Sequence, residues 1–431
     1  MPLYLVLFLI TNMIASVSMD IHLPSVLDMS KEFNTGQVFF QFYLALGILL
    51  STISPLFWGP YSDKVGRSKS IVPVYCALII GNIGCATSDS IVLLSIFRMI
   101  QSFGVGGILT LSIAVICDLY DHQSRTKILS IFELTFTLGL MGAPIMGSFL
   151  HENIGFRGCY LIISLLLGCI FSVLLNLEKM NNHKQNLDQS RQPNIIKFLI
   201  KKSRTFPFMH YGILRGMVNA TYMIFIAYAP YVLMQQMGMN NQQFSMIISS
   251  LPLCYILGIL FLRISLKYFT HSQVFNFSMS SFLCIGTVIL LMKVSILPVN
   301  MWVLLALFAF NGFVACPILV ISLVQCFKLE LQHKEEHNGS FSALLEFYLG
   351  AVTAFLILVS SYFLKPKIGN LLTMFSVCGG CCLCLWMSIR IKAKKILSKS
   401  VQFVPFTIMN LSSDEKKSDI NLASSNSTQK R

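Results

Sequence analysis

The sequence predicts an all-α integral membrane protein of twelve transmembrane helices in two six-helix halves. Composition, the count of apolar runs and the placement of basic residues all point there. Of 431 residues, 55% are hydrophobic and 12% charged, against about 25% charged in soluble globular chains. With Phe at 34 and Met at 21, too few charges remain to coat a soluble surface. That excludes a disordered chain, a coiled coil, a secreted disulfide scaffold and a cytosolic enzyme. The 13 cysteines fall nearly all inside apolar runs, where a thiol behaves as a small hydrophobe.

A helix crossing a hydrocarbon core of about 30 Å needs about 20 apolar residues. The chain offers twelve such runs, at 2–24, 37–58, 71–88, 91–117, 128–150, 158–177, 207–233, 243–262, 273–292, 301–327, 341–363 and 371–390. No Lys or Arg precedes the first, so 2–24 reads as a retained span and not a cleaved signal. The domain plan is a bundle at 1–177, a basic linker at 178–206, a second bundle at 207–391 and a disordered tail at 392–431. Two six-span halves joined by a basic linker is a layout of secondary transporters.

Charge tests the topology. With both termini in the cytoplasm, 25 of the 32 Lys and Arg fall on inner segments and 5 on outer loops, leaving Arg98 and Arg215 inside spans. This bias follows the positive-inside rule. It accounts for the net charge of +14 without a nucleic-acid partner.

Five charged residues lie within apolar spans: Asp20, Arg98, Glu133, Arg215 and Glu346. Each costs about 2.5–3.5 kcal/mol on insertion scales. A desolvated carboxylate takes up and releases a proton near neutral pH, so Asp20, Glu133 and Glu346 are candidate proton carriers. The plainer alternatives are that Glu133 and Glu346 sit in water at a cytoplasmic mouth, and that Asp20 caps its helix at the headgroups. Arg98 either donates hydrogen bonds to a neighbouring helix backbone or tunes a nearby carboxylate. Arg215 has no assignment from the sequence.

Residues 59–69 read GPYSDKVGRSK and resemble the loop motif of the major facilitator superfamily, G-x-x-x-D-[RK]-x-G-R-[RK]. Gly59, Asp63, Lys64, Gly66 and Arg67 match, and Ser68 replaces the second basic residue. The resemblance implies a gate in which Asp63 faces a helix N-terminus and Arg67 pairs with an acid such as Asp118. Residues 98–107, RMIQSFGVGG, resemble the span-4 motif of proton-coupled members through Arg98, Gln101 and Gly104. Residues 139–148, GLMGAPIMGS, resemble the span-5 antiporter motif through Gly139, Ala143, Pro144 and Gly147, with Gly142 beside them and Ser148 departing from the final glycine.

The first span carries MDIHLPS at 19–25, similar to the D-x-x-L-P-[SA] signature of twelve-helix drug:proton antiporters, with the Bcr/CflA multidrug branch the nearest resemblance. In the second half, RISLKYFTHSQ after span 8 keeps positive charge but lacks the motif's glycines and Asp. The family resemblance implies a multi-pass protein of the plasma membrane (a bacterial inner membrane), acting as a monomer. It would export small amphipathic or drug-like compounds by alternating access, needing no cofactor because the proton gradient drives it. Tyr43, Tyr222, Tyr228, Phe347 and Tyr348 are candidates to line its substrate cavity. A carrier for one metabolite is the alternative within transport, and an integral-membrane enzyme is the alternative of another class. HKEEH at 333–337 matches a zinc-peptidase spacing, but it lies in a charged loop and reads as a solvated turn. CGGCCLC at 378–384 reads as small-residue packing.

Overall fold

The first helix, α1 (Leu3–Asp20), is an apolar run without Gly or Pro. It stops after Asp20 because Pro24 has no N–H to give the Asp20 carbonyl, and its ring crowds that turn. A 3₁₀ turn at Leu23–Ser25 and the short α2 (Val26–Glu32) follow. The computed structural model describes residues 3–119, 122–180, 206–294, 296, 300–330, 338–363 and 368–401. HKEEH at 333–337, most of the 178–206 linker and the tail beyond Val401 lie outside those residues.

The second span, α3 (Gln37–Val65), runs through the 59–65 stretch expected to be a loop. Only Gly66 breaks it, at φ 100°, a backbone region closed to most side chains. The turn into α4 (Arg67–Thr87) therefore occupies one residue. After α5 (Ile91–Leu119) comes α6 (His122–Met180), a helical run of 59 residues. At about 1.5 Å per residue it is roughly three times as long as a bilayer core is thick, so it makes two crossings. The bend is at Gly155, with φ 70° and ψ 174°. The expected separate spans 128–150 and 158–177 are the two arms of this run.

The second half holds α7 (Phe206–Ala229), continued by a π-helical turn at Pro230–Gln236, then α8 (Asn241–Ser265), α9 (His271–Lys293), α10 (Met301–Glu330), α11 (Asn338–Phe363) and α12 (Ile368–Val401). Capping boxes at Asn240/Gln243 and Thr270/Gln273 start α8 and α9, each satisfying backbone N–H groups that a helix start leaves open. Among the described residues, 11 helical runs are long and apolar enough to cross a membrane, and one of them, Ile131–Asn176, is the two-armed α6. The twelve-helix expectation therefore stands.

The halves repeat one packing scheme. In the first, α1 lies on the first arm of α6, and Asn12 Nδ2 donates to the Phe132 carbonyl at 2.9 Å and Thr135 Oγ1 at 3.1 Å. In the second, α7 lies on α11, and Asn219 Nδ2 donates to Thr353 Oγ1 at 3.1 Å. Contacts of α3 with α11 and of α6 with α8 join the halves, with Gly350 against Thr52. Residues up to Leu385 form one compact unit. In the unit beginning at Trp386, Arg390 lies over the Trp386 ring, 4.6 Å from its centroid.

Every described cysteine is a free thiol, and no metal-ligand cluster occurs among the described residues. Cys378 and Cys382 are buried in α12, and Gly379 between them faces Gly286 of α9.

The span-5 motif residues divide by face. Gly139, Ala143 and Gly147, spaced by one helical turn, face α1. A methyl group at Gly139 would meet Ser16 and the Met13 carbonyl, and one at Gly147 would meet the Ile21 carbonyl. Gly142, on another face, has nothing within 4 Å. We expect Gly147→Val to destabilise the purified protein by about 1–3 kcal/mol through overpacking, while Gly142→Ala stays within about 0.5 kcal/mol of wild type. Thermal unfolding in detergent checks both, and equal shifts would show that α1 does not sit on that glycine face.

Candidate functional site

The break after Asp20 leaves the last carbonyls of α1 without helical partners, at a depth where water is scarce. Arg98, seven residues into α5, fills that gap. Its Nη1 donates to the Ser18 carbonyl at 3.1 Å and its Nη2 to the Met19 carbonyl at 2.6 Å. Gln101, one turn on, accepts from Arg98 Nη1 at 2.7 Å and donates from Nε2 to Ser18 Oγ at 3.0 Å and Asn82 Oδ1 at 2.8 Å. Gly104, the next turn of the same motif, lets α5 close on Leu78 of α4. A guanidinium 3% exposed is thus matched by the negative end of the α1 dipole.

Asp20 sits beside this cap. Its carboxylate makes no hydrogen bond or ion pair among the described residues, and it is partly accessible. Arg98 from its own half and Tyr222 of α7 from the other lie within electrostatic range. Behind it, Tyr43 lies under Arg98, 5.4 Å from ring centroid to guanidinium, and its hydroxyl shares a 2.7 Å hydrogen bond with Tyr160. His22 packs among Phe40, Tyr43 and Tyr160.

A second polar cluster lies toward the end that carries the 59–69 motif. Arg215 Nη2 of α7 donates to Glu346 Oε1 of α11 at 2.5 Å, with the arginine side chain 6% exposed and the glutamate 50%. Glu133, exposed on α6, and Tyr255 of α8 are electrostatic neighbours of Glu346. The cluster therefore draws groups from both halves. Arg215 Nε and Nη1 are buried without a partner among the described residues.

At that same end Arg67 Nε donates to Asp118 Oδ2 at 2.9 Å and pairs with Asp63 one turn earlier. Lys64 is exposed and Gly59 lies against Thr110. Of the aromatic candidates, Tyr43 and Tyr228 are fully buried, and the Tyr228 hydroxyl donates to the Ser360 carbonyl at 3.3 Å. Tyr222, Phe347 and Tyr348 are half-buried, with Tyr348 against Gly212 of α7.

A buried cap on a broken first helix, a one-residue turn with an Arg/Asp pair, and two similarly packed halves are matched by sequence: the profile of the Major Facilitator Superfamily covers residues 8–346. The chain belongs to this superfamily.

Among relatives in the superfamily, Citrate exporter 1 of Aspergillus niger is 25% identical over 162 residues, covering 37% of this chain and 31% of that protein. The Bicyclomycin resistance protein homolog of Haemophilus influenzae is 27% identical over 192 residues, covering 43% and 47%. The match thus spans less than half the length of either relative. The crystal structure of the peptide transporter POT in complex with sulfate superimposes with a TM-score of 0.71 at 16% identity, over 91% of this chain and 94% of that one. At that identity the likeness concerns the fold. The chain is a multi-pass membrane protein of a transporter superfamily.

Sequence reasoning passed over three members of these clusters. His22 occupies a variable position of the first-helix signature, and Tyr160 and Tyr255 are aromatics in apolar runs with no local mark of function. Only the close sequence distance from Asp20 could have drawn attention to His22.

Arg98→Lys keeps the charge but loses the planar fork that reaches two carbonyls and Gln101 at once. We expect it to cost about 1.5–3 kcal/mol, the range for hydrogen bonds to a charged group. A detergent-unfolding midpoint equal to wild type would show that the α1 end is held by other means.

Proposed function

We propose that this chain is a proton-driven exporter of small amphipathic or drug-like compounds, working by alternating access in a bacterial inner membrane. The observation that carries this reading is the Asp20 carboxylate. It is unpaired, partly accessible, next to a fixed positive charge, and within range of Tyr222 across the boundary between the halves. A group so placed can bind a proton or lose it as the halves rock about it. The Bicyclomycin resistance protein homolog among the relatives supports a drug-like cargo. The excess of Lys and Arg at the end bearing Arg67 supports cytoplasmic termini.

The carboxylates differ in what they are free to do. Glu346 is engaged by Arg215. Asp20 is the first candidate carrier and Glu133 the second. One charge moved through about 100 mV is worth about 2.3 kcal/mol, enough to hold a roughly 50-fold gradient of a neutral substrate. The chain's own residues supply binding and proton exchange, and the cycle needs no cofactor.

An export carrier for an organic acid is the second reading. Citrate exporter 1 among the relatives and the two unpartnered N–H groups of buried Arg215 favour it.

Proton movement in inside-out vesicles with an acidified lumen tests the proposal. Antibiotics, dyes and carboxylic acids are added in turn to vesicles holding wild type or Asp20→Asn. We expect substrate-dependent proton efflux from wild type and background flux from the variant. Coupled flux at the wild-type rate from folded Asp20→Asn would remove Asp20 as carrier, and a response to carboxylic acids alone would select the second reading.

A further inference from the structure

We infer that His22 relays protons to Asp20 from the end of the bundle opposite Arg67. The inference rests on the proton-coupled reading of Asp20 above.

The case begins with an imidazole that has no structural employment. His22 is 0% exposed, and neither Nδ1 nor Nε2 has a hydrogen-bond partner among the described residues. Buried polar groups are nearly always hydrogen-bonded, because leaving them unpaired costs stability. The surrounding cage of Phe40, Tyr43 and Tyr160, with ring centroids at 5.8, 5.3 and 6.4 Å, would accept a phenyl ring without that cost. What an imidazole adds at this place is one nitrogen that accepts a proton and another that donates one.

Position supports the same role. His22 stands in the turn between α1 and the 3₁₀ segment, two residues beyond Asp20 in the direction of α2. It is continuous with the Asp20 site: Tyr43, on which it packs edge-on, carries Arg98 on its ring, and Arg98 donates to the carbonyl of Met19. Three residues further on, Ser25 Oγ is also buried and without a partner among the described residues.

Of the ionisable groups, Arg98 of α5 lies within electrostatic range of the ring, Tyr43 of α3 and Tyr160 of α6 pack on it, Cys85 of α4 neighbours those two tyrosines, and Asp20 stands two residues back along the chain. Helix α8 packs on Leu23–Ser25, but its Cys254, Tyr255 and Arg263 lie in the half nearer the Arg67 end. On α2, Asp28 is held by His151 at 2.9 Å and Lys31 at 3.1 Å, and Glu32 by Arg157 at 2.7 Å.

The step balances simply. As that end opens, one ring nitrogen accepts a proton from hydronium. The other nitrogen gives its proton to the Asp20 carboxylate, which becomes the neutral acid. The ring is left neutral with its N–H on the opposite nitrogen, and no electrons change hands.

The test uses the full chain in inside-out vesicles, with substrate-driven proton flux measured while lumen pH is varied. His22→Phe fills the cage without the relay. We expect its flux to fall at least about tenfold at lumen pH of about 7.5, where a relay residue contributes most. The deficit should shrink to under about twofold near pH 5.5, where hydronium itself is abundant. His22→Ala should recover flux when imidazole is supplied in the lumen, and not when pyrrole, a ring of the same size without a basic nitrogen, replaces it. Flux from His22→Phe that matches wild type across the range would overturn the relay. So would a loss that is independent of pH and equally rescued by both rings. Wild type without proton flux on any substrate would remove the transport reading itself, a result distinguishable from failure of the relay alone.

Discussion

A single guanidinium bound to the broken end of a helix organises the first half of this protein. Pro24 ends α1 inside the bundle, where unsatisfied carbonyls cost several kcal/mol each because no bulk water reaches them. Arg98 meets the Ser18 and Met19 carbonyls, and the α1 dipole in turn offsets a charge that the bilayer would otherwise penalise. Each defect is tolerable because of the other. The consequences spread outward: Gln101 is drawn to Ser18 and Asn82, Gly147 makes room for the Ile21 carbonyl, and Asp20 is left beside the site without a partner among the described residues.

On the proposed mechanism, a carboxylate without a partner among the described residues is the one free to exchange a proton. The contrast with Glu346 makes the point, since both are acids within apolar spans. Arg215 reaches Glu346 at 2.5 Å, whereas Arg98 turns Nη1 and Nη2 to the Ser18 and Met19 carbonyls and to Gln101. The two buried arginines thus sort the acids into one that is held and one that is free. The two clusters sit at different depths of the bundle, with Tyr222 of one and Arg215 of the other seven residues apart on α7, so the rocking proposed above would alter both environments at once.

Much of the fold was legible because membrane insertion is read from local composition. Twelve apolar runs and the basic bias set the number of crossings and their sense, and the two Gly-rich motifs marked close helix approaches. Boundaries were less legible. The 59–65 stretch is polar enough to resemble a loop, yet it lies outside the apolar core, where a helix loses nothing by continuing, and α3 runs on until Gly66. The arms of α6 join for the same reason, since 151–157 has no residue able to stop a helix except the bend at Gly155.

The site was legible as a set of residues and not as an arrangement. By itself the sequence determined that charges at 20, 98, 133, 215 and 346 lie within apolar spans, because their cost is a property of the residue and its depth. Which of them meet was decided by tertiary structure alone. In a span that is apolar on every face, hydrophobic periodicity does not say which face meets a neighbour. The pairing of Arg215 with Glu346, the burial of Tyr43 and Tyr228, and the enclosure of His22 by rings from α3 and α6 therefore follow from how the helices pack, since residues over 100 positions apart supply both sides of the Tyr43–Tyr160, Arg215–Glu346 and Tyr228–Ser360 hydrogen bonds.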